Sequence, residues 1–413
     1  MKKTIFSIGV GWFALQAIWT TYNAFMPLLY AKLTEAPDAS GKIVPNLFLV
    51  GLLMTTDNFL GLAIGPFWGA RSDQTHSKWG RRMPYILVGM PLAAIFTFIL
   101  PLFAQVSLMA LVIAALLMNF SMTIFRAPLV SFFSDLFPKS MRSQVSGTTD
   151  LMAGIGAIVA LLGGGELYRI NPSYPFIMVS LTLVIAALVM RVGVKEPDIA
   201  EIGKHDDVSG DLPPSLIAAI RTLVKLPQRS PILFLIGVMF TWSAWNAIES
   251  FWTTFATTAL KMNGGDAANF AAILALSYLV GAVPAGIAAA KWGRQRTIMI
   301  GIVLLIPLYI IGALNTSILA FAILLGVMGP CWALVLVNGV VLFQEFASLR
   351  QIGLFSGIYA IATAISQIIG PPLYGYLMDV GGPHMLWYVG IAALVLGAIF
   401  ISRVSEGRIN ATA

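Results

Sequence analysis

Gly65-Pro66-Phe67-Trp68-Gly69-Ala70-Arg71-Ser72-Asp73-Gln74-Thr75-His76-Ser77-Lys78-Trp79-Gly80-Arg81-Arg82-Met83-Pro84-Tyr85-Ile86-Leu87 is a short charged loop set between two long apolar runs. Part of it returns later. Lys78-Trp79-Gly80-Arg81 recurs as Lys291-Trp292-Gly293-Arg294, an offset of 213, and Asp135…Ser146-Gly147 recurs as Glu345…Ser356-Gly357, an offset of 210. Two matches at near-equal offsets, each following an apolar run, point to a duplicated unit of about half the chain.

Outward from this loop the chain stays apolar. Of 413 residues 58% are hydrophobic and 10% charged, against about 25% charged in soluble domains. Runs of roughly 20 residues match the hydrocarbon thickness of a bilayer and lack the alternation of barrel strands. Spans are predicted at 5–30, 47–70, 84–104, 107–134, 143–163, 175–191, 231–257, 268–290, 297–314, 318–343, 352–377 and 385–402. The first, with Lys2 and Lys3 before it, contains Trp12, Trp19 and Asn23 and no small-residue cleavage site, so it reads as a retained helix rather than a signal peptide.

The fold expected is all-α and integral to the membrane, with twelve transmembrane helices in two parallel six-helix repeats. Residues 1–191 form the first half, 192–230 a linker and 231–413 the second half. Of the 25 Lys and Arg, 20 fall on the side of the N-terminus and four on the other, with Arg126 inside a helix. That bias places both termini and the linker in the cytoplasm. It also explains the net charge of +7 without nucleic acid, because no domain-sized basic surface exists. Ser215–Leu226 carries Arg221 and Lys225 at helical spacing among apolar residues. It reads either as a helix on the inner membrane surface or as plain linker. The lone Cys331 allows no intrachain disulfide, and His76, His205 and His384 all fall in predicted loops, so no metal site or cofactor is expected.

Parallel six-helix repeats are the architecture of the major facilitator superfamily. The core Gly69-x-x-Ser72-Asp73-x₆-Gly80-Arg81-Arg82-x-Pro84-Tyr85-Ile86 resembles the loop motif of sucrose–proton symporters of plants and their animal relatives. More distantly it resembles melibiose-type cation symporters. A second match runs from Asn119 to Asp135 around Pro128. The resemblance implies sugar or glycoside transport driven by a cation. Two departures follow from it. Gly61 and Gly65 stand where melibiose-type symporters carry their cation-binding acids, and Asn119 stands where sucrose-type symporters carry a proton-coupling aspartate.

In the loop motif, small residues let helices approach while acids and arginines latch their ends. Arg71, Asp73, Arg81, Arg82, Asp135 and Arg142 are the candidate cytoplasmic gate, against the plainer reading of positive-inside topology. Charges inside spans are costly and therefore functional candidates. Asp57, Arg126, Asp150 and Glu249 are such charges. Arg126 and Asp150 lie at similar depth either side of the turn near 138–139 and are expected to form a buried ion pair. Asp57 and Glu249 have no evident partner. A carboxyl in a low-dielectric site is suited to carrying a proton, so Asp57, Glu249 and Asp150 are the proton-coupling candidates. Glu249 comes first because it shares a helical face with Trp242, Trp245 and Trp252, Asp57 next and Asp150 after it; the plainer reading is a structural acid.

Trp242, Trp245, Glu249 and Trp252 form one helical stripe with Asn246 beside it, and Trp12, Gln16, Trp19 and Asn23 form another. Sugar sites combine flat rings with amides, whereas aromatic stripes also serve packing and interfacial belts. The candidate substrate-binding residues are Gln16, Trp19, Asn23, Asn119, Trp242, Trp245, Asn246, Trp332, Asn338, Tyr359 and Gln367. No nucleophile elbow, phosphate loop or zinc spacing occurs, so no enzyme is read here. The expectation is a monomeric, proton-coupled sugar transporter of a prokaryotic plasma membrane. Its alternatives are a facilitator or exporter of another small organic solute and a non-transporting receptor or assembly factor.

Overall fold

The computed structural model describes residues 2–37, 41, 43–137, 139–196, 229–347 and 351–404. Twelve helical stretches among them are long and apolar enough to cross a membrane, one at each predicted run. In order they are α1 (Lys2–Leu33), the broken second span α2 (Leu47–Met54) and α3 (Thr56–Asp73), α4 (Met83–Phe103), α5 (Leu108–Leu136), α6 (Lys139–Ile170) and α7 (Tyr174–Gly193). The later spans are α8 (Ser230–Thr258), α9 (Gly264–Trp292), α10 (Arg294–Leu314), α11 (Ile318–Gln344), α12 (Ile352–Gly381) and α13 (Met385–Ser402). Between α1 and α2 lies a small antiparallel hairpin, β1 (Glu35–Pro37) with β2 (Ile43–Pro45), which the apolar pattern does not announce. The linker helix expected at Ser215–Leu226 lies outside the described residues.

Helix ends in such a chain must satisfy their own backbone groups. Asn46 accepts from Leu49 N at 2.9 Å to start α2, and Ser107 accepts from Ala110 N at 3.1 Å to start α5. The second span breaks at Thr55, whose hydroxyl turns back onto Leu52 O at 2.8 Å. The helix resumes at Thr56 and carries Asp57 in its first turn, where the helix dipole favours a negative charge.

The chain forms two compact units. One is 1–45, 56–208 and 262–272; the other is 46–55, 209–261 and 273–413. In the first, α1 packs on α6 and α7, α4 on α5 and α7, and α3 on α5. In the second, α8 packs on α12 and α13, α10 on α11 and α13, and α2 on α12. Small residues set these approaches, as expected where lipid supplies no hydrophobic drive between helices. A side chain at Gly89 would press on Phe125 at 2.9 Å, and one at Gly51 or Gly375 would overlap the backbone of the facing helix, at Pro371 or Leu47.

Candidate functional site

The first unit holds a polar cluster on α1, α3 and α5. The Arg126 guanidinium stacks on Trp19, 4.4 Å from the ring centre, and Asp57 acts on it electrostatically. Asn58 Nδ2 donates to Asp57 Oδ1 at 2.9 Å. Arg126 is exposed while Asp57, Trp19, Gln16 and Asn23 are half-buried. Gln16 Nε2 donates to Thr20 Oγ1 at 3.4 Å along the same face of α1. Behind the cluster, buried Asn119 donates to Thr56 Oγ1 at 3.3 Å and Tyr22 OH at 3.4 Å, and its own carbonyl oxygen finds no hydrogen-bond partner among the described residues.

The pairing expected for Arg126 is corrected here. Asp150 is exposed and accepts from Ser146 Oγ at 3.1 Å on its own helix, and no ion pair joins it to Arg126 among the described residues. Equal depth beside a turn fixes only one coordinate. α6 packs chiefly on α1 and little on α5, so the faces bearing the two charges do not meet. Asp57 acts on Arg126 electrostatically, without an ion pair within 4.0 Å among the described residues.

The second unit gathers the aromatic candidates. Trp242 Nε1 donates to Tyr359 OH at 3.2 Å. Trp245 packs against Tyr278 at 5.7 Å and edge-on to Trp332 at 5.4 Å. Trp332 is wholly buried, with Tyr309 at 6.3 Å on another side. Asn246 and Asn338 are buried and donate to the carbonyls of Trp242 at 3.3 Å and Leu334 at 3.0 Å, one turn back on their helices. Tyr359 is buried as well. The half-buried members are Trp242, Trp245, Glu249 and Gln367. Trp252 is buried against Phe255 and Phe321.

The loop after α3 is a dense charge network. Arg81 donates twice to Asp135, Nη2 to Oδ1 at 2.6 Å and Nε to Oδ2 at 3.1 Å. Arg82 Nε reaches the same carboxylate at 2.8 Å, its Nη1 donates to Ser72 Oγ at 2.5 Å, and its Nη2 pairs with Asp73. Forked guanidinium–carboxylate pairing of this kind fixes geometry as well as charge. Arg71 is exposed and has no ion pair among the described residues; the side chain of Arg142 lies outside them.

Sequence reasoning missed a central member. Glu196, just past α7, accepts from the backbone N–H of Arg81 at 2.7 Å, Arg82 at 3.0 Å and Met83 at 2.7 Å. These are orphan donors at the start of α4, where the dipole favours an anion. Gly80 makes the turn at φ 100°, and a side chain there would overlap Glu196. In the second copy Gly293 turns at φ 87° and Arg294 pairs with Glu345. There Gln295 Nε2 donates to Ile401 O at 2.9 Å and Val404 O at 2.8 Å.

Two further clasps were also missed. Asp379 near the end of α12 accepts from Leu47 N and Phe48 N, both at 2.8 Å, at the start of α2. Arg169 near the end of α6 pairs with Glu166 at 2.7 Å and with Asp266 in the first turn of α9, while Asn269 Nδ2 donates to Glu166 at 2.8 Å. Acids and a base within a turn of span ends were the available signal.

Twelve apolar spans with polar groups inside them and charge networks at their ends define a polytopic α-helical membrane protein. The sequence profile of the Major Facilitator Superfamily matches residues 8–268 and 233–410, and the chain belongs to that superfamily. An isoprimeverose transporter of Lactiplantibacillus pentosus is 23% identical over 403 residues, spanning 91% of this chain and 80% of that protein. A D-xylose–proton symporter superposes with a TM-score of 0.76 at 13% identity, covering 100% of this chain and 99% of that one. The nucleoside transporter NupG gives 0.74 at 12% identity, covering 98% and 99%.

Proposed function

We propose that this superfamily transporter is a proton-coupled symporter of a sugar or glycoside, of disaccharide size, acting as a monomer by alternating access. It works in a prokaryotic plasma membrane with both termini and the 192–230 linker cytoplasmic. The carrying observation is the Trp19–Arg126–Asp57 cluster inside three spans, an exposed guanidinium seated on a ring and within electrostatic reach of a carboxyl. A charge facing lipid is too costly, so the exposed side of Arg126 meets water and solute. Its free N–H groups, with Gln16 and Asn23 on α1, suit hydroxyls. The isoprimeverose transporter named above supports a glycosidic substrate.

Asp57 is the favoured proton carrier here, in place of Glu249, which the sequence put first, and ahead of Asp150, because its charge acts on Arg126. Ionised, it holds the guanidinium; protonated, it releases N–H groups to the solute. Sodium is disfavoured. Residues 61 and 65 are glycines, and Arg126 Nη1 lies 3.6 Å from where a side chain at 61 would begin, so a fixed cation adjoins the place that melibiose-type symporters equip with an acid.

The test is counterflow of labelled disaccharide into proteoliposomes, competed by isoprimeverose, sucrose, maltose, xylose and uridine. At least one sugar should be exchanged and uridine should not compete. Exchange of uridine with no sugar exchanged would overturn the reading.

A further inference from the structure

We infer that Lys78, Trp79 and Arg191 form a binding site for the headgroup of an anionic phospholipid, at the membrane surface beside the loop between α3 and α4. Trp79 is 43% exposed. Lys78 Nζ lies 5.4 Å and the Arg191 guanidinium carbon 5.6 Å from the centre of its ring. The two cations come from different elements, the loop and the last turn of α7, and converge on one indole. Neither has an ion pair within 4.0 Å among the described residues.

Among the described residues the neighbouring acids are already committed: Asp73 to Arg82, Asp135 to Arg81 and Arg82, and Glu196 to the start of α4. Lys195, also exposed, adds a third positive charge. Two like charges around one ring repel unless an anion sits with them. The ring lies where three spans end, which is headgroup height, and tryptophan partitions there. A phosphodiester of an anionic lipid brings negative charge that a zwitterionic lipid largely cancels within its own headgroup, and basic residues at this height attract it.

The repeat supplies an internal control. Trp292 is 49% exposed and Lys291 precedes it, but Arg294 is paired with Glu345 and no cation stacks on this ring among the described residues. The second copy therefore lacks the site.

The experiment is native mass spectrometry of the detergent-purified full chain titrated with phosphatidylglycerol or phosphatidylcholine, the former also with excess inorganic phosphate. Wild type should retain phosphatidylglycerol preferentially. Lys78→Gln and Arg191→Gln should each lower that retention about fivefold, the double variant should reach the phosphatidylcholine level, and Lys291→Gln should match wild type. The single variants are exposed substitutions, and the melting temperature of each preparation verifies its fold. Equal retention of the two lipids by wild type overturns the proposal, as does undiminished retention in both folded single variants. Displacement of the lipid by inorganic phosphate would make it a free-anion site and overturn it too.

Discussion

Lys-Trp-Gly-Arg stands twice in this chain, and the two units hold it differently. In the first, Arg81 and Asp135 are 15% and 5% exposed, Arg82 at 4% joins the same carboxylate, and Glu196 closes the helix start behind them. In the second, Arg294 and Glu345 form one pair at 37% and 48% exposure. The matching positions meet in both, since Arg81 corresponds to Arg294 and Asp135 to Glu345 by the repeat. Duplication has preserved who meets whom and not how much depends on it. Buried charges left without a partner are costly, whereas exposed pairs contribute little.

That contrast can be broken by substitution. Asp135→Ala strands half-buried Arg81 and leaves buried Arg82 with Asp73 alone, and should cost roughly 3 kcal/mol, seen as a large fall in melting temperature of the purified protein. Glu345→Ala should stay within about 1 kcal/mol; equal losses would erase the distinction. Between these extremes, Gly80→Ala and Gly293→Ala both force a left-handed backbone, at about 1–2 kcal/mol each. Gly80→Ala should lose more, because it also displaces Glu196, and a matched loss at the two glycines would show that Glu196 contributes nothing. Glu196→Gln keeps the shape and removes the charge from the start of α4, so about 1 kcal/mol is expected. In that background the excess cost of Gly80→Ala over Gly293→Ala should shrink.

The spans were legible because each is an apolar run with charged ends, and the repeat was legible because its two conserved pieces are partners in space. Depth, however, is only one coordinate of a helical residue. Arg126 and Asp150 share a depth, but α6 packs chiefly on α1 and Asp150 bonds within its own helix, while the charge that acts on Arg126 is Asp57 on α3. The break at Thr55 that sets Asp57 at a helix start leaves no mark in an apolar pattern. Glu196 lies 115 residues from Arg81, and Asp379 lies 332 from Leu47, so nothing local announces either clasp. Among the aromatic and amide candidates, residue type alone did not separate Trp245, half-buried, from Trp332, wholly enclosed.

The central claim is that Asp57 couples proton movement to sugar through Arg126. The most direct measurement is substrate-driven pH change and uphill accumulation in proteoliposomes, for wild type, Asp57→Asn and Glu249→Gln, with counterflow as the control for binding and exchange. Wild type should take up protons with sugar. Asp57→Asn should keep counterflow and lose accumulation, because a permanently neutral side chain can complete the exchange step but cannot draw on the proton gradient. Glu249→Gln should accumulate like wild type. Sugar moving through wild type without protons, or Asp57→Asn accumulating fully against a gradient, would contradict the account.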